Sequence, residues 1–473
     1  MPRIFNQAAC NTCRVRKIKC DESLPICQRC SKASRYCDRS AAPPLPVLVQ
    51  PTNTQDVFPS PSDPRRALTN PAIARYFHHY ITSIAPWYDL SDGSQHFATR
   101  LPELALASAL PFAAVVALAA IQISQTTAPS ARAAAEYYHD HCVRLLLARL
   151  KDDNAARGDG DGDGDGNGNG NSNSNGITLA SICLLRSYEI LSEEVDPNRH
   201  LRGAYSLAVS RRPLLREGDL GGRGGLRGAG FWNYLREDIT FSLFQRCPLK
   251  MGLDQVELFV WRGDDADGDH AYLNAVSLIL GRIINECFGR ETLSPEAWDF
   301  LFRLLRDWCS ALLGRFAPFA REERRLGLAL PSVWMLHDCH ASARHYRLVC
   351  IAILCNHAST SEQISDLISL LEDLISLLEA SQDVDQCTTR EEILERCAVE
   401  ICGIAFTANS PPVVVNCFGP IAFCGPFIRD EAAQQELVRR LMACKRTIGW
   451  PVQRLVADLQ LAWGEAAGQQ IAV

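Results

Sequence analysis

Six cysteines near the start of the chain follow a repeated spacing. They form the array C-x2-C-x6-C-x6-C-x2-C-x6-C, at Cys10, Cys13, Cys20, Cys27, Cys30 and Cys37. Adding seventeen to each of the first three positions gives the last three. Thiolates are good zinc ligands, and a C-x2-C pair lets one turn of backbone place two sulfurs on one ion. The array therefore predicts a metal-binding unit that occurs twice.

The number of sulfurs indicates a cluster of two zinc ions. Two four-coordinate ions need more ligand positions than six sulfurs supply, so two sulfurs must bridge both ions. The repeat makes Cys10 and Cys27 the equivalent pair for that role. A disulfide framework would need a secreted chain, whereas Met1 to Phe5 has no signal-peptide apolar core. Zinc would also fold a segment too poor in large apolar side chains to build a core.

The two halves of the array differ in charge. Four cations lie between the second and third cysteines, namely Arg14, Arg16, Lys17 and Lys19, whereas the matching stretch holds only Lys32 and Arg35. Residues 1–40 carry a net charge of +6 and the remaining residues carry −12. Because phosphate contacts by Lys and Arg dominate nucleic-acid affinity, this asymmetry favours a polyanion partner for the N-terminal segment alone.

Double-stranded DNA is the partner that this segment fits best. A short helix starting near Cys13 would direct its cations away from the sulfurs, and such a helix fits the major groove. Some of these cations would then reach bases, whereas Lys32 and Arg35 are candidates for phosphate contacts. A solvated charge run is an alternative interpretation, and a nuclear-import signal is a compatible second use.

Residues 10–20, with Pro25 two places before Cys27, resemble the fungal Zn2Cys6 binuclear-cluster family of transcription regulators. The resemblance implies that Cys10 and Cys27 bridge the two zinc ions and that Pro25 shapes the loop between the halves. It also implies that Lys17, helped by Arg16, reads a CGG-type triplet. A nuclear regulator of RNA polymerase II genes, working with the transcription machinery or co-regulators, is the function that the resemblance implies.

The cysteine segment, residues 1–40, is followed by a proline-rich linker over residues 41–70. Prolines at this density cannot sit inside helices, so the coiled coil that often follows the cluster in this family is not expected here. Two alternatives remain open. The chain binds a single half-site as a monomer, or it forms a homodimer through its large domain.

Residues 71–473 are predicted to form a large all-α regulatory domain. Pro111 can start a helix as its first residue, and Ser359 with Glu362 forms a capping-box pattern. Asp430 can cap a later helix. Patterns typical of strands are scarce, and Val413 to Val415 is the best short run.

Three segments of this domain suggest other structures at first sight. Leu104 to Gln122 is long and uncharged enough for a membrane span, but its alanines and Pro111 favour a buried helix of a soluble protein. The Gly-Asp and Gly-Asn stretch within residues 152–176 lacks the glutamate of a calcium loop, so a disordered insertion is predicted. Gly218 to Gly230 is predicted to be a second glycine-rich loop, without the ending of a phosphate-binding loop.

Aromatic blocks extend the resemblance to the fungal-specific regulatory domain that accompanies these clusters. The blocks are residues 76–87, 199–204, 231–238 and 448–451, together with Trp463. Ordinary helix packing also explains them. The other fourteen cysteines lack paired spacing and are expected to be reduced core residues.

Two classes of function compete. The first is a zinc-dependent, sequence-specific DNA-binding regulator that is not an enzyme. The second is a helical metabolite-sensing or enzymatic protein whose zinc module serves protein interaction. One dense group of potential ligands lies outside the array, at His337, Cys339, His340 and His345, but satisfied histidines on a helix explain the same residues. Neither an effector nor a catalytic constellation is indicated.

Overall fold

The structure, a computed structural model, describes most of the chain. The described residues are 19–21, 27–32, 58–155, 169–192, 224–253, 268–290, 292–312, 314–324, 329–372 and 389–471. The chain divides into two compact units, Met1–Pro59 and Ser60–Val473. In the first unit the described residues contain one short helix, α1, at Gln28–Lys32.

The second unit is built from helices. They are α2 Pro64–Ala67, α3 Pro71–His79, α4 Ala85–Asp89, α5 Arg100–Ala105, α6 Ala109–Thr126, α7 Arg132–Ala155, α8 Asn169–Ser192, α9 Gly225–Gln245, α10 Gly268–Phe288, α11 Pro295–Ser310, α12 Asp338–His357, α13 Ser361–Glu372, α14 Arg390–Ala408, α15 Pro411–Cys424, α16 Glu431–Ile448 and α17 Gln453–Ile471. A π-helical turn, Tyr80–Ile84, joins α3 to α4. The predicted all-α class is confirmed.

The strands in the described part of this unit are short. β1, Ala320–Glu322, pairs antiparallel with β2, Ser332–Trp334, so that Arg321 lies opposite Val333. The run Val413 to Val415, the best strand-like pattern in the sequence, lies in α15 instead. Two prolines at the start of α15 explain the difference, because the fixed φ of proline suits the first turn of a helix.

The long apolar helix α6 is buried in the second unit, as predicted. It packs against α3, α5, α7 and α8, and every residue from Leu110 to Gln122 is buried. It is the one helix in the described ranges long and apolar enough to cross a membrane, and 72% of it is buried inside the protein. A helix that is hydrophobic on all sides needs such cover. The predicted start is wrong by two residues, because α6 begins at Ala109 and Pro111 lies within its first turn.

Helix caps show where local sequence signals were sufficient. Asp430 caps α16 as predicted, because its carboxylate accepts the N–H of Ala433 at 2.7 Å. The cap of α13 lies one residue later than predicted. Thr360 Oγ1 accepts the N–H of Gln363 at 3.2 Å, and Gln363 Oε1 accepts the N–H of Thr360 at 3.3 Å. The capping box is therefore Thr360 with Gln363, not Ser359 with Glu362.

The insertion predicted to be disordered, residues 152–176, includes helical residues at both ends. Helix α7 continues to Ala155 and α8 already begins at Asn169, while residues 156–168 lie outside the described residues. Gly176 is buried, and a Cβ added there would lie 3.2 Å from the backbone nitrogen of Arg227 in α9. Glycine at this position thus allows α8 and α9 to approach closely.

The second predicted glycine-rich loop, Gly218 to Gly230, also includes residues that are helical in the structure. Helix α9 begins at Gly225, and Gly228 and Gly230 are buried within it. A Cβ on Gly230 would lie 3.0 Å from Leu179 Cγ of α8. Gly230 therefore serves helix packing, because its missing side chain leaves room where two helices touch, whereas a Cβ on Gly228 would meet no atom within 4 Å. Residues 218–223 lie outside the described part of the chain.

Exchanging residues 156–168 for a Gly-Ser linker of the same length should leave the stability of the protein unchanged. Alternating Gly with Asp or Asn offers no apolar face to bury. The matched variant Gly176→Val should instead lower the free energy of unfolding by about 1–3 kcal/mol, because overpacking forces α8 from α9. Thermal unfolding of the full chain, with and without calcium, measures both. A linker variant as unstable as Gly176→Val, or stabilised differently by calcium, would contradict this expectation.

Candidate zinc and nucleic-acid site

Three of the six array cysteines lie among the described residues, and all three are buried. Cys20 is 6% exposed, Cys27 is fully buried and Cys30 is 1% exposed. Cys27 directly precedes α1 and Cys30 lies within it. Burial of three thiols in so short a segment is the environment that zinc-bound cysteines require.

The Cys27 to Cys30 pair forms the tight turn that the C-x2-C spacing predicts. The N–H of Cys30 lies 3.0 Å from the carbonyl oxygen of Cys27 and 3.4 Å from its sulfur. The sulfur of Cys27 thus lies at the turn that the C-x2-C spacing predicts, and its bridging role stays a prediction.

Asp21 fixes the start of α1. Its two carboxylate oxygens accept the N–H of Gln28 at 3.0 Å and the N–H of Arg29 at 3.1 Å. A carboxylate at this position satisfies backbone donors that the helix itself leaves unpaired. Since Asp21 directly follows Cys20, the same contact ties the third cysteine of the array to the turn that carries the fourth and fifth.

The capping role of Asp21 was not predicted from the sequence, although the repeat contains a signal for it. The seventeen-residue repeat extends from Cys20-Asp21 to Cys37-Asp38, and the positions matching Gln28 and Arg29 are Asn11 and Thr12. Asp38, Asn11 and Thr12 lie outside the described residues. The repeat predicts that Asp38 caps the N–H groups of Asn11 and Thr12 in the first half.

Replacing Asp21 by alanine should weaken zinc retention. Loss of a capping carboxylate costs about 0.5–2 kcal/mol of folding free energy, and metal binding and folding are coupled in small zinc domains. Titrating the full chain with a chromophoric zinc chelator measures the change, and Asp38→Ala should match it. The neighbouring Glu22→Ala serves as the control, and an equal effect of Glu22→Ala and Asp21→Ala would argue against a capping role.

The described cations of this unit face solvent. Lys19, Arg29 and Lys32 are exposed, and no acidic residue lies in the first turn of α1. Four of the predicted DNA contacts lie outside the described residues: Arg14, Arg16, Lys17 and Arg35. Three of the predicted zinc ligands, Cys10, Cys13 and Cys37, lie outside them as well. The assignment of bases to Lys17 and Arg16 stays a prediction.

The buried thiols fit a zinc site. The described residues contain no set of three ligating side chains that could hold an ion by themselves. A two-ion cluster needs no such set among them, because Cys20 would belong to one ion, Cys30 to the other and Cys27 to both. The predicted ligand set is therefore complete only with Cys10, Cys13 and Cys37.

The histidine and cysteine group of the second unit does not form a second metal site. His340 Nε2 lies 2.7 Å from Asp269 Oδ2, whereas His345 Nε2 lies 3.1 Å from the carbonyl oxygen of Ile401. Burial lowers the pKa of His345 to about 4, which keeps its ring neutral. His340 and His345 thus contact different neighbours and share no common ligand position, so helix packing explains where they lie.

Three of the aromatic blocks, residues 76–87, 231–238 and 448–451, contribute to one cavity of about 70 Å³ in the second unit. Trp87, Asn233 and Trp450 line it, although they are far apart in the sequence. Arg186 and Glu237 form an ion pair of 2.8 Å at the same cavity, and burial raises the pKa of Glu237 to about 7. The charged pair was missed in the sequence, because its two members lie on α8 and α9 and share no local pattern.

Comparison with known families agrees with this division. Residues 8–44 match the fungal Zn(2)-Cys(6) binuclear cluster domain, and residues 75–226 match the fungal specific transcription factor domain. Two segments of the chain are therefore similar to the two domains of the fungal Zn2Cys6 transcription factors. The first match encloses all six array cysteines, and the second extends from α3 to the start of α9. The proteins of this family are DNA-binding transcription regulators whose cluster domain binds two zinc ions.

Curated relatives are similar over short stretches. Zn(2)-C6 fungal-type transcription factor afumD of Aspergillus fumigatus is 28% identical over 127 residues, which are 25% of this chain and 33% of that protein. An uncharacterized transcriptional regulatory protein of Schizosaccharomyces pombe is 32% identical over 119 residues, 21% of each chain. Transcription activator AMTR1 of Alternaria alternata is 56% identical over 32 residues, 7% of this chain and 4% of that protein. The chain thus spans a third or less of these relatives. No solved structure shows significant similarity to it.

Proposed function

We propose that the chain is a nuclear, zinc-dependent regulator of RNA polymerase II genes that reads a CGG-type triplet in the major groove. The observation that carries the proposal is the half-cluster around Cys20, Cys27 and Cys30. Its thiols are buried, Asp21 ties them together, and cations face solvent beside them. Such a unit has little apolar core and needs metal to stay folded.

Each part of the unit has a separate task. The six cysteines would hold two zinc ions, which crosslink the segment when bound. Cys10 and Cys27 would serve both ions, and each of the other four cysteines would serve one. Lys17, helped by Arg16, donates hydrogen bonds to guanine edges, which is the commonest way a cation reads a base. Lys32 and Arg35 contact phosphates and set the position on DNA without reading its sequence.

The charge of the chain confines contact with DNA to this unit. Residues 1–40 carry +6 and the rest of the chain −12, so the second unit repels the phosphate backbone. The large helical domain then controls activity through co-regulators or through a second copy of the chain. Residues 41–57 of the predicted linker lie outside the described residues.

A second candidate function, metabolite sensing by the helical domain, is favoured by its cavities. It is compatible with DNA binding, because the sensing site and the cluster lie in different units. The competing interpretation as an enzyme has no comparable support. Among the described residues, the buried acids Asp89 and Glu237 serve backbone N–H groups or an arginine.

Selection from a random duplex pool with the purified full-length chain tests the proposal. We expect one enriched CGG-type triplet if the chain binds as a monomer, and two triplets at fixed spacing if it binds as a dimer. Recovery of unrelated sequences without a shared motif would show that the unit does not read DNA. The variant Lys17→Ala provides the matched negative control.

A further inference from the structure

The short helix α1 has two opposite faces. Cys30 and the preceding Cys27 are buried, whereas Gln28, Arg29 and Lys32 are exposed. Since an α-helix turns by about 100° per residue, the two cysteines point to one side and the three exposed residues to the other. The helix therefore directs its sulfurs inward and presents two cations to solvent.

The backbone N–H groups at the start of α1 already have acceptors. The carboxylate of Asp21 accepts those of Gln28 and Arg29, at 3.0 Å and 3.1 Å. The N–H of Cys30 lies 3.0 Å from the carbonyl oxygen of Cys27. Helix N-termini can bind anions through such groups, but here these groups are occupied. An anion that approaches α1 must therefore be bound by side chains.

The two cations of the exposed face are available to an anion. Within the described residues, neither the guanidinium of Arg29 nor the ammonium of Lys32 forms a hydrogen bond or an ion pair. Asp21, the acid among the described residues of this unit, is turned to the backbone of α1 instead. Because Arg29 and Lys32 are three positions apart, their Cβ atoms lie about 5–6 Å from each other.

This cationic face has no counterpart in the first half of the array. In the seventeen-residue repeat, Arg29 and Lys32 match the uncharged Thr12 and Val15. The cations of the first half lie within residues 14–19 instead. The two halves thus place their cations at different positions of the same repeat, which favours different tasks on DNA. Contacts to bases specify the sequence, whereas contacts to phosphates set the position.

We propose that Arg29 is a further DNA-contact residue, which together with Lys32 binds two neighbouring phosphates of one strand. The inference rests on the proposed DNA binding by the zinc unit and adds a contact that the charge pattern of the sequence did not assign. A planar guanidinium can donate two parallel hydrogen bonds to one phosphate, whereas Lys32 acts as a point charge. Phosphates follow each other about every 3.4 Å along the axis of a strand, so two long side chains on one face can reach adjacent ones.

Binding of the full chain to a CGG-containing duplex and to a scrambled duplex, measured from about 50 to 200 mM salt, tests the proposal. Arg29→Gln removes the charge and Arg29→Lys keeps it. Arg303→Gln is the matched control, because Arg303 is an exposed arginine on α11 of the second unit. Zinc content per chain is measured for every variant, so that a loss of folding is detected separately.

Arg29→Gln should weaken binding to both duplexes by the same factor. It should also reduce the slope of log affinity against log salt by about 0.9, the value for one phosphate contact. Combining it with Lys32→Ala should reduce the slope by about 0.9 again. Arg29→Lys and Arg303→Gln should leave the slope unchanged, and every variant should keep the zinc content of the unaltered chain.

Four results would overturn the assignment of Arg29 alone. They are an unchanged slope in Arg29→Gln, a loss confined to the CGG-containing duplex, an equal loss in Arg29→Lys, and a loss of zinc from Arg29→Gln. Failure of the unaltered chain to bind either duplex would instead contradict both the proposed function and the phosphate contact. The two failures are therefore distinguishable.

Discussion

Cys27→Ala should lose both zinc ions and specific DNA binding, whereas Cys37→Ala should lose less metal. A bridging sulfur serves two ions, and removing it leaves both with an incomplete tetrahedron. Cys27 is fully buried, and its sulfur accepts the N–H of Cys30 at 3.4 Å, so no water can replace it easily. Cys10→Ala should behave like Cys27→Ala, because the repeat makes the two positions equivalent.

Zinc content per chain, measured by mass spectrometry on the purified full-length protein, decides this prediction. Cys247→Ala is the control, because Cys247 is a partly exposed cysteine of the second unit. Two zinc ions retained in Cys27→Ala or in Cys10→Ala would show that the bridging assignment is wrong. Equal losses in Cys27→Ala and Cys37→Ala would show that the whole unit unfolds when any one ligand is removed.

Lys17→Ala should lower the discrimination between the selected duplex and a scrambled one by about 1–3 kcal/mol, the range for a good base contact. Lys32→Ala should instead weaken binding to both duplexes equally. It should also reduce the slope of log affinity against log salt by about one, because one phosphate contact is lost. The contrast follows from the unequal charge of the two halves and from the exposed position of Lys32 on α1.

Binding to both duplexes at several salt concentrations separates these effects. Lys151→Ala serves as the control, because this exposed lysine lies on α7 of the acidic unit. An equal loss of specificity in Lys17→Ala and Lys32→Ala would contradict the assignment of base reading to the first half alone. A changed salt slope in Lys151→Ala would show that the second unit also touches DNA.

Local signals were sufficient to predict much of the fold. Apolar residues at three- and four-residue steps identified the helical domain, and the uniform composition of residues 104–122 indicated the buried helix α6. Asp430 was a correct cap because its effect is confined to one turn. The strands β1 and β2 were not predicted, since three residues each are too few to show an alternating pattern.

Errors arose where tertiary contacts decide the structure. Gly176 and Gly230 lie in glycine-rich segments, which are typical of loops. Each nevertheless lies in a helix, where the absence of a side chain leaves space for the neighbouring helix. The meeting of Trp87, Asn233 and Trp450 at one cavity depends on contacts between distant parts of the chain. The repeat places an aspartate after the third cysteine of each half. The cap by Asp21, however, joins residues that are seven apart in sequence, and no local motif describes such a contact.

Binding of the full chain to its selected duplex, before and after removal of zinc by a chelator and again after zinc is restored, tests the central claim most directly. We expect specific binding only with zinc, loss of both specific and non-specific binding without it, and recovery on re-addition. Binding that persists without zinc, or that is lost from the specific duplex while the scrambled duplex is still bound as before, would contradict a zinc-folded basic unit as the DNA reader.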